Sequence, residues 1–479
     1  MSISKSNPTF LLAVIIVCAL FQTTNSKSNI KTKGLQLRMI HIDSPDSPMY
    51  QAELTDLQRI NRLLAISDYR VSYLANKTSQ RRDSRYLEPD VTSPLIGHQS
   101  YNYYVQIGIG QFDDVHQPYQ NNYLTFDTAS AITWTQCESC RNCFYQRTPL
   151  FSNSKSRTYH PFTYTECPAN NWKGDHCEGS IGYMDGAYMS GIWAHETFTF
   201  TSMSSSDEPI NGLNFVCAIN TYNFIAEEGV EDNVITGLLG MNKGESSLIS
   251  QLGSKVEHKF SYCLQGTPGY HCQVSQMFLS FGDQISKPAI MYATPILSEE
   301  QYYVSLLDIS VENKKLNIQP DLFALKPDRV VRTYFDTGST FTYLVSAAFD
   351  NLQNAIVDYV TRYNFKLERW SGPKRGLFEE CWKPLYDYAK VNLPKVTFHF
   401  DENADLIVQS TEMFVPVPFQ GVPLPGLYCL AVSRAPHHDD DDHDLNVIGA
   451  YQQINQRVIV DIEKSQILFA PADCASDNH

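Results

Sequence analysis

At 479 residues the chain is longer than a single hydrophobic core organises, which predicts two lobes together with segments removed in processing. Its 28 Tyr and 25 Phe favour β-rich packing. A formal charge of −15, with an isoelectric point near 5.3, excludes a nucleic-acid binder.

Residues 1–26 carry one cation, Lys5, an uncharged apolar run from Phe10 to Phe21, and a small polar end at Thr23-Thr24-Asn25-Ser26. This predicts a secretory signal peptide; the competing reading, a membrane anchor, wants an apolar run of about 20 residues, and no later segment is apolar enough to span. From Lys27 to Glu88 eleven Lys/Arg stand against seven Asp/Glu, so a basic leader precedes an acidic body. Within it, Leu54 to Leu74 sets Leu57, Ile60, Leu63, Leu64 and Ile66 at amphipathic helical spacing, with Arg59, Arg62 and Arg70 as a basic face. The segment reads either as a small helix of the folded protein or, preferred, as a propeptide over residues 27–95. Such a propeptide would lie across the acidic body, held by charge, and loosen as falling pH protonates carboxylates. Ser79 to Glu88, with Arg81-Arg82, is the expected cleavage region, and the sequon Asn76-Lys77-Thr78 falls in the same leader.

From Tyr101 onward a period of two dominates, in Tyr103 to Ile109, Tyr123 to Phe126 and Thr197 to Phe200. In the second half, Tyr302 to Ile318 predicts a hairpin turning near Asn313-Lys314, and Arg457 to Phe469 another turning near Glu463-Lys464. Ala347 to Tyr363 is the best helix, with Leu352, Ile356, Val357 and Val360 on one face. Outside the signal, which holds Cys18, eleven cysteines remain: Cys137, Cys140, Cys143, Cys167, Cys177, Cys217, Cys263, Cys272, Cys381, Cys429 and Cys474. In a secreted chain most form disulfides and one is left over. Cys137-x-x-Cys140-x-x-Cys143 also has the spacing of a metal knuckle, but no His pair follows, and the disulfide reading is preferred; connectivity is not legible.

Two strings are near-copies 209 residues apart: Phe126-Asp127-Thr128-Ala129-Ser130 and Phe335-Asp336-Thr337-Gly338-Ser339, each behind a strand-forming run. A second echo follows at equal offset. Gly240, ending Gly237-Leu238-Leu239-Gly240, and Gly449, in Val447-Ile448-Gly449-Ala450, each lie 113 residues after their aspartate. Glycine there allows a backbone passage that a Cβ would block. The paired echoes imply a duplicated lobe whose two carboxylates can face each other and divide acid and base work. At about 3 Å such a pair repels by roughly 5 kcal/mol at an effective dielectric near 20, so both cannot ionise together in acid.

These motifs, with Tyr183-Met184-Asp185-Gly186-Ala187, Phe260-Ser261-Tyr262-Cys263-Leu264 and the ending Leu468 to Cys474, resemble the pepsin-type aspartic proteases, and more narrowly the nepenthesin-like or atypical plant members. The resemblance covers Tyr101 to Cys474 and implies an all-β fold: a bilobal double β-barrel with a cleft between the lobes and few short helices. The lobes would span residues 96–295 and 296–479. It further implies a dyad of Asp127 and Asp336; Thr128 and Thr337 bracing the loops across the lobe junction; Ser130 and Ser339 bonded to the carboxylates; and Gly338 completing the second motif. Tyr183, Asp185 and Gly186 would form a flap over substrate, with Trp134 steadying Tyr183. Departures are Ala129 for Gly, Met184 for Gly and Ala187 for Ser. The added methyl of Ala129 would cost about 1 kcal/mol if the backbone there needs positive φ.

The implied activity is that of a secreted acid endopeptidase, made as a zymogen and needing no cofactor or metal. Its partners would be polypeptide substrates and its own propeptide, with neither nucleic acid nor, after signal removal, membrane. It would act as a monomer in the extracellular space or the vacuole. The alternative is a catalytically weak or silent relative acting as a binding or inhibitor-like protein. The run His437-His438-Asp439-Asp440-Asp441-Asp442-His443-Asp444 is read as a solvated loop in preference to a cation site.

Overall fold

The computed structural model describes residues 34–64, 67, 103–182, 188–201, 206–222, 233–266, 276–319, 322–323, 332–364, 366–372, 378–385, 391–419, 422–435 and 445–476. The signal, the expected cleavage region, the sequon, the flap residues Tyr183 to Ala187, Cys272 and the His437–Asp444 run all lie outside them.

Strands dominate. Among the described residues a 15-stranded sheet ties the two halves together, because the C-terminal hairpin, Gln456–Asp461 with Gln466–Pro471, is laid against Lys259–Cys263 of the first half. The hairpin turns where the sequence predicts, as does the shorter one of Leu306–Val311 with Lys314–Lys315. The predicted helix forms over Ser346–Tyr363 and buries Leu352, Ile356 and Val360, while Val357, the fourth expected position, is only half-buried. A continuous core runs through both halves, from Phe126 and Phe260 to Phe335 and Phe469.

The leader is built in more deeply than its charge pattern suggests. Leu35–His41 is a strand inside the large sheet, between Met277–Phe281 and Tyr103–Ile109, with Leu35, Leu37 and Met39 in the core. The helix follows at 56–64 and 67, with Ile60, Leu63 and Leu64 buried. The segment's attachment to the body is therefore a β-ladder and an apolar face, and its buried ion pairs, Arg59 and Arg62 with Asp43, are internal to it. Among the described residues ten cysteines form five bridges: Cys137–Cys217, Cys140–Cys143, Cys167–Cys177, Cys263–Cys474 and Cys381–Cys429. The knuckle-like triplet is thus consumed by disulfides.

Candidate active site

Each aspartate lies at the end of a strand or one residue past it, beside a parallel strand that ends at its glycine or one residue before it. In the first half, Gln120–Asp127 runs parallel to Ile235–Gly240 with Gly240 opposite Asp127, and Trp134–Gln136 returns antiparallel along the same strand. In the second half, Arg332–Phe335 runs parallel to Leu445–Ile448, and Tyr343 returns antiparallel opposite Val447. The echo of glycines has a steric cause. A Cβ on Gly240 would stand 2.5 Å from the backbone C and O of Ala131, and one on Gly449 would stand 2.3 Å from the backbone O of Phe341. Each glycine N–H also donates to a threonine hydroxyl at 3.1 Å, Thr133 for Gly240 and Thr342 for Gly449.

The carboxylates, both 0% exposed, receive matching hydrogen bonds. The Ala129 N–H donates to Asp127 Oδ1 at 2.9 Å, and the Gly338 N–H to Asp336 Oδ1 at 3.2 Å. The Ser130 hydroxyl donates to Asp127 Oδ2, and the Ser339 hydroxyl to Asp336 Oδ2 at 2.7 Å. The two donors on each carboxylate fix its plane. Ala129 is not among the residues with positive φ, so its methyl meets no backbone strain; it packs into the core instead. The concern attached to that position from sequence thus has no conformational basis.

The loops meet at a junction that the motifs alone do not reveal. Tyr302 donates its hydroxyl at 2.6 Å to the carbonyl of Met241, whose N–H is bonded to the Asp127 carbonyl. The carbonyl of the same Tyr302 accepts from the N–H of Phe335, next to Asp336. Tyr262 makes a second bridge: its ring stands edge-on to Phe126 at 5.7 Å, and its hydroxyl bonds Gln453 Oε1 at 2.7 Å. Gln453 in turn donates to the Ile448 carbonyl at 2.8 Å, the group that also accepts the Asp336 N–H. Burial first, and then the Asp336 charge, push the Tyr262 phenol well above its ordinary pKa, so it stays a neutral donor. Gln301 adds a bond from its amide to the Ala129 carbonyl at 3.4 Å. Tyr262 lay in a recognised motif without an assigned role; Tyr302, Gln301 and Gln453 carry no local signal, because their partners are distant in sequence.

Of the other expected site residues, Thr128 and Thr337 sit beside the aspartates with both hydroxyls buried, and neither finds a hydrogen-bond partner among the described residues. The cross-junction bonds expected of them are not made in this arrangement; the tyrosines supply the tie. Trp134 is fully buried on the strand after the first motif, edge-on to Phe144 at 6.4 Å. Tyr183, Asp185 and Gly186 lie outside the described residues.

Comparison with known proteins places these features in a lineage. Two family models match in succession, one described as xylanase inhibitor N-terminal over residues 103–283 and one as xylanase inhibitor C-terminal over residues 301–471. A probable aspartic protease of Arabidopsis thaliana is 28% identical over 485 residues, covering 97% of this chain and 99% of that protein. Aspartic proteinase nepenthesin-1 of Nepenthes gracilis is 28% identical over 490 residues, covering 98% of each chain. Among solved structures, basic 7S globulin from soybean superposes with a TM-score of 0.56 at 17% identity, over 79% of this chain and 97% of its own. The structure titled edgp gives 0.58 at 16%, over 78% and 92%. At those identities the solved structures speak for the fold.

Proposed function

The chain belongs to the plant family of pepsin-like aspartic proteases, and from that premise we propose that it is an acid endopeptidase in which Asp127 and Asp336 jointly activate a water molecule. The observation that carries this reading is the matched set of bonds on the two buried carboxylates: in each, a serine hydroxyl on Oδ2 and a backbone N–H on Oδ1. A structural carboxylate needs one such cradle; two equivalent cradles on tied loops suit a pair that shares one proton. The ionised partner draws a proton from water while the protonated partner polarises the scissile carbonyl, and the roles exchange as the amine leaves. Titration belongs to the pair, so acid and base are not allotted to either residue.

A signal peptide over residues 1–26 directs secretion, to the extracellular space or the vacuole, and five disulfides suit an oxidising compartment. Residues 27–95 form a prosegment, and the Thr340 hydroxyl bonded to the Leu63 carbonyl at 3.1 Å, with the Phe341 N–H on the Ser67 hydroxyl at 3.1 Å, supports its seat beside the second aspartate. Tyr183, Asp185 and Gly186 close over an extended polypeptide, with Trp134 behind them, and the enzyme acts as a monomer.

The test is hydrolysis of denatured globin between about pH 3 and 5 by the processed protein, with and without pepstatin. Asp127→Asn and Asp336→Asn should each lower the rate at least about 10³-fold, since neither carboxylate can work alone. Cleavage that survives pepstatin or either substitution would sink the dyad. No cleavage by the processed wild type would make the chain a silent, binding member of its family.

A further inference from the structure

A row of hydrogen-bonded side chains on the second half of the molecule takes no part in the dyad chemistry. Lys314–Lys315, Leu306–Val311, Val396–Phe400 and Ala404–Val408 lie side by side as a four-stranded sheet, separate from the sheet that holds Arg332–Phe335. One face of it is core, with Ile309, Phe398 and Leu406 buried. The alternate positions form the other face, and the register sets three polar residues in a row across it. His399 stands directly opposite Asp405, and Ser310, opposite Thr397, is one diagonal step from His399. The Ser310 hydroxyl lies 2.6 Å from His399 Nε2, and His399 Nδ1 lies 2.6 Å from Asp405 Oδ1. The carboxylate can only accept, so Nδ1 carries the proton and donates it. In the neutral ring Nε2 is then the acceptor, and the Ser310 hydroxyl donates to it. A hydroxyl held on a base, with the base oriented by a carboxylate at its other nitrogen, is the arrangement that makes a serine nucleophilic.

We propose that Ser310 is an acyl-acceptor site, with His399 as its general base, that takes a short acyl group from an activated ester. The site is independent of the two aspartates and of the protease reading.

Exposure sets the size of the acyl group. The side chains of His399 and Asp405 are 15% and 37% exposed, so the row opens to solvent on the imidazole side, whereas Ser310 is only 4% exposed. A short acyl group suits that opening and a polypeptide does not. Attack by the Ser310 Oγ on the ester carbonyl carbon forms a C–O bond while the hydroxyl proton passes to Nε2. The carbonyl electron pair moves onto its oxygen. Lys315, exposed, and Thr397 stand directly opposite Ser310 on its two neighbouring strands, so the ammonium and the hydroxyl flank the place where that charge develops. When the pair returns, the bond to the leaving alcohol breaks, and the alcohol departs with the proton from Nε2. Acyl-Ser310 and a neutral imidazole remain. Asp405 is a positioning residue: it fixes the tautomer and stabilises the imidazolium between the two proton transfers. The charged groups facing His399 are Asp405 and Asp308, directly opposite it on the two adjoining strands, with Lys315 beyond Ser310. Because the base must be unprotonated, the reaction belongs to neutral and alkaline pH, away from the acid in which a proton-sharing dyad works.

The experiment exposes the full chain carrying Asp127→Asn, which silences the dyad, to a small alkyl fluorophosphonate at about pH 8 and locates adducts by peptide mass spectrometry. The probe undergoes the same attack: an O–P bond forms, fluoride leaves, and His399 takes the hydroxyl proton. An adduct on Ser310 is expected, forming at least about 100-fold faster than when His399→Gln is added and at least about tenfold faster than when Asp405→Asn is added. No adduct on Ser310, or one that forms as fast with His399→Gln, overturns the site. Should the added substitutions misfold the chain, the Asp127→Asn protein by itself decides the matter. An adduct that needs the folded chain supports the site, and one that forms on Ser310 equally fast in unfolding urea comes from an ordinary serine and refutes it. Inactivity on globin in acid would sink the protease reading and leave this result untouched.

Discussion

The loop of Asp127 and the loop of Asp336 receive the same pair of bonds on each carboxylate and the same threonine hydroxyl under each partner glycine, yet their described outer contacts diverge. Thr340 and Phe341 of the second loop are bonded to Leu63 and Ser67 of the leader, whereas the Ala129 carbonyl of the first is bonded from Gln301 of the body. What the two loops have in common is the part that aims the carboxylates. Where they differ lies one layer out, where one loop is engaged by a segment proposed to leave. A duplicated lobe can thus keep its chemistry symmetric while its control is one-sided.

The strongest way to break the comparison is through the glycines. Gly240→Ala and Gly449→Ala each drive a Cβ into backbone atoms rather than into a side chain that could swing aside. Each should cost about 3 kcal/mol by urea unfolding at pH 7, with the two values close to each other. A cost under about 1 kcal/mol for one and a full cost for the other would show that the lobes pack their aspartate strands by different rules.

Much of this plan was legible because duplication writes the same local chemistry twice at the same offset. The aspartates, their glycines, both hairpins and the long helix, found over Ser346–Tyr363 where Ala347 to Tyr363 was expected, follow from spacing and period alone. The leader strand was not read, although Leu35, Leu37 and Met39 alternate cleanly, because the basic charge of the surrounding segment suggested a surface attachment. Strand partners are chosen by long-range packing, and nothing near Leu35 names Phe281 or Val105. The same holds for the cysteines, where Cys263 and Cys474 are 211 residues apart, and for Tyr302, whose hydroxyl serves a carbonyl 61 residues away.

A smaller effect sharpens the junction. Tyr302→Phe removes the hydroxyl that serves the Met241 carbonyl, and Tyr262→Phe leaves Gln453 Oε1 without that donor. Each should lower stability by about 1 to 2 kcal/mol, the usual result of stranding one buried polar partner. If the two tyrosines tie the lobes as one unit, the double variant will lose less or more than the sum by at least about 0.5 kcal/mol, and a double-mutant cycle on chemical unfolding reads this directly. Strict additivity would mean that each tyrosine braces its own loop only.

The smallest effect separates the loops at the position where their sequences differ. Gly338 and Ala129 make the same backbone bond to their aspartates, and neither is among the residues held at positive φ, so glycine is not demanded by conformation in either loop. Ala129→Gly should therefore leave globin hydrolysis at pH 4 unchanged while lowering stability by about 1 kcal/mol, through the greater freedom of the unfolded chain and the loss of a buried methyl. A several-fold gain in rate would show instead that the methyl hinders substrate or the dyad. In that case the symmetry of the two carboxylate cradles would be one of ground-state geometry and not of function.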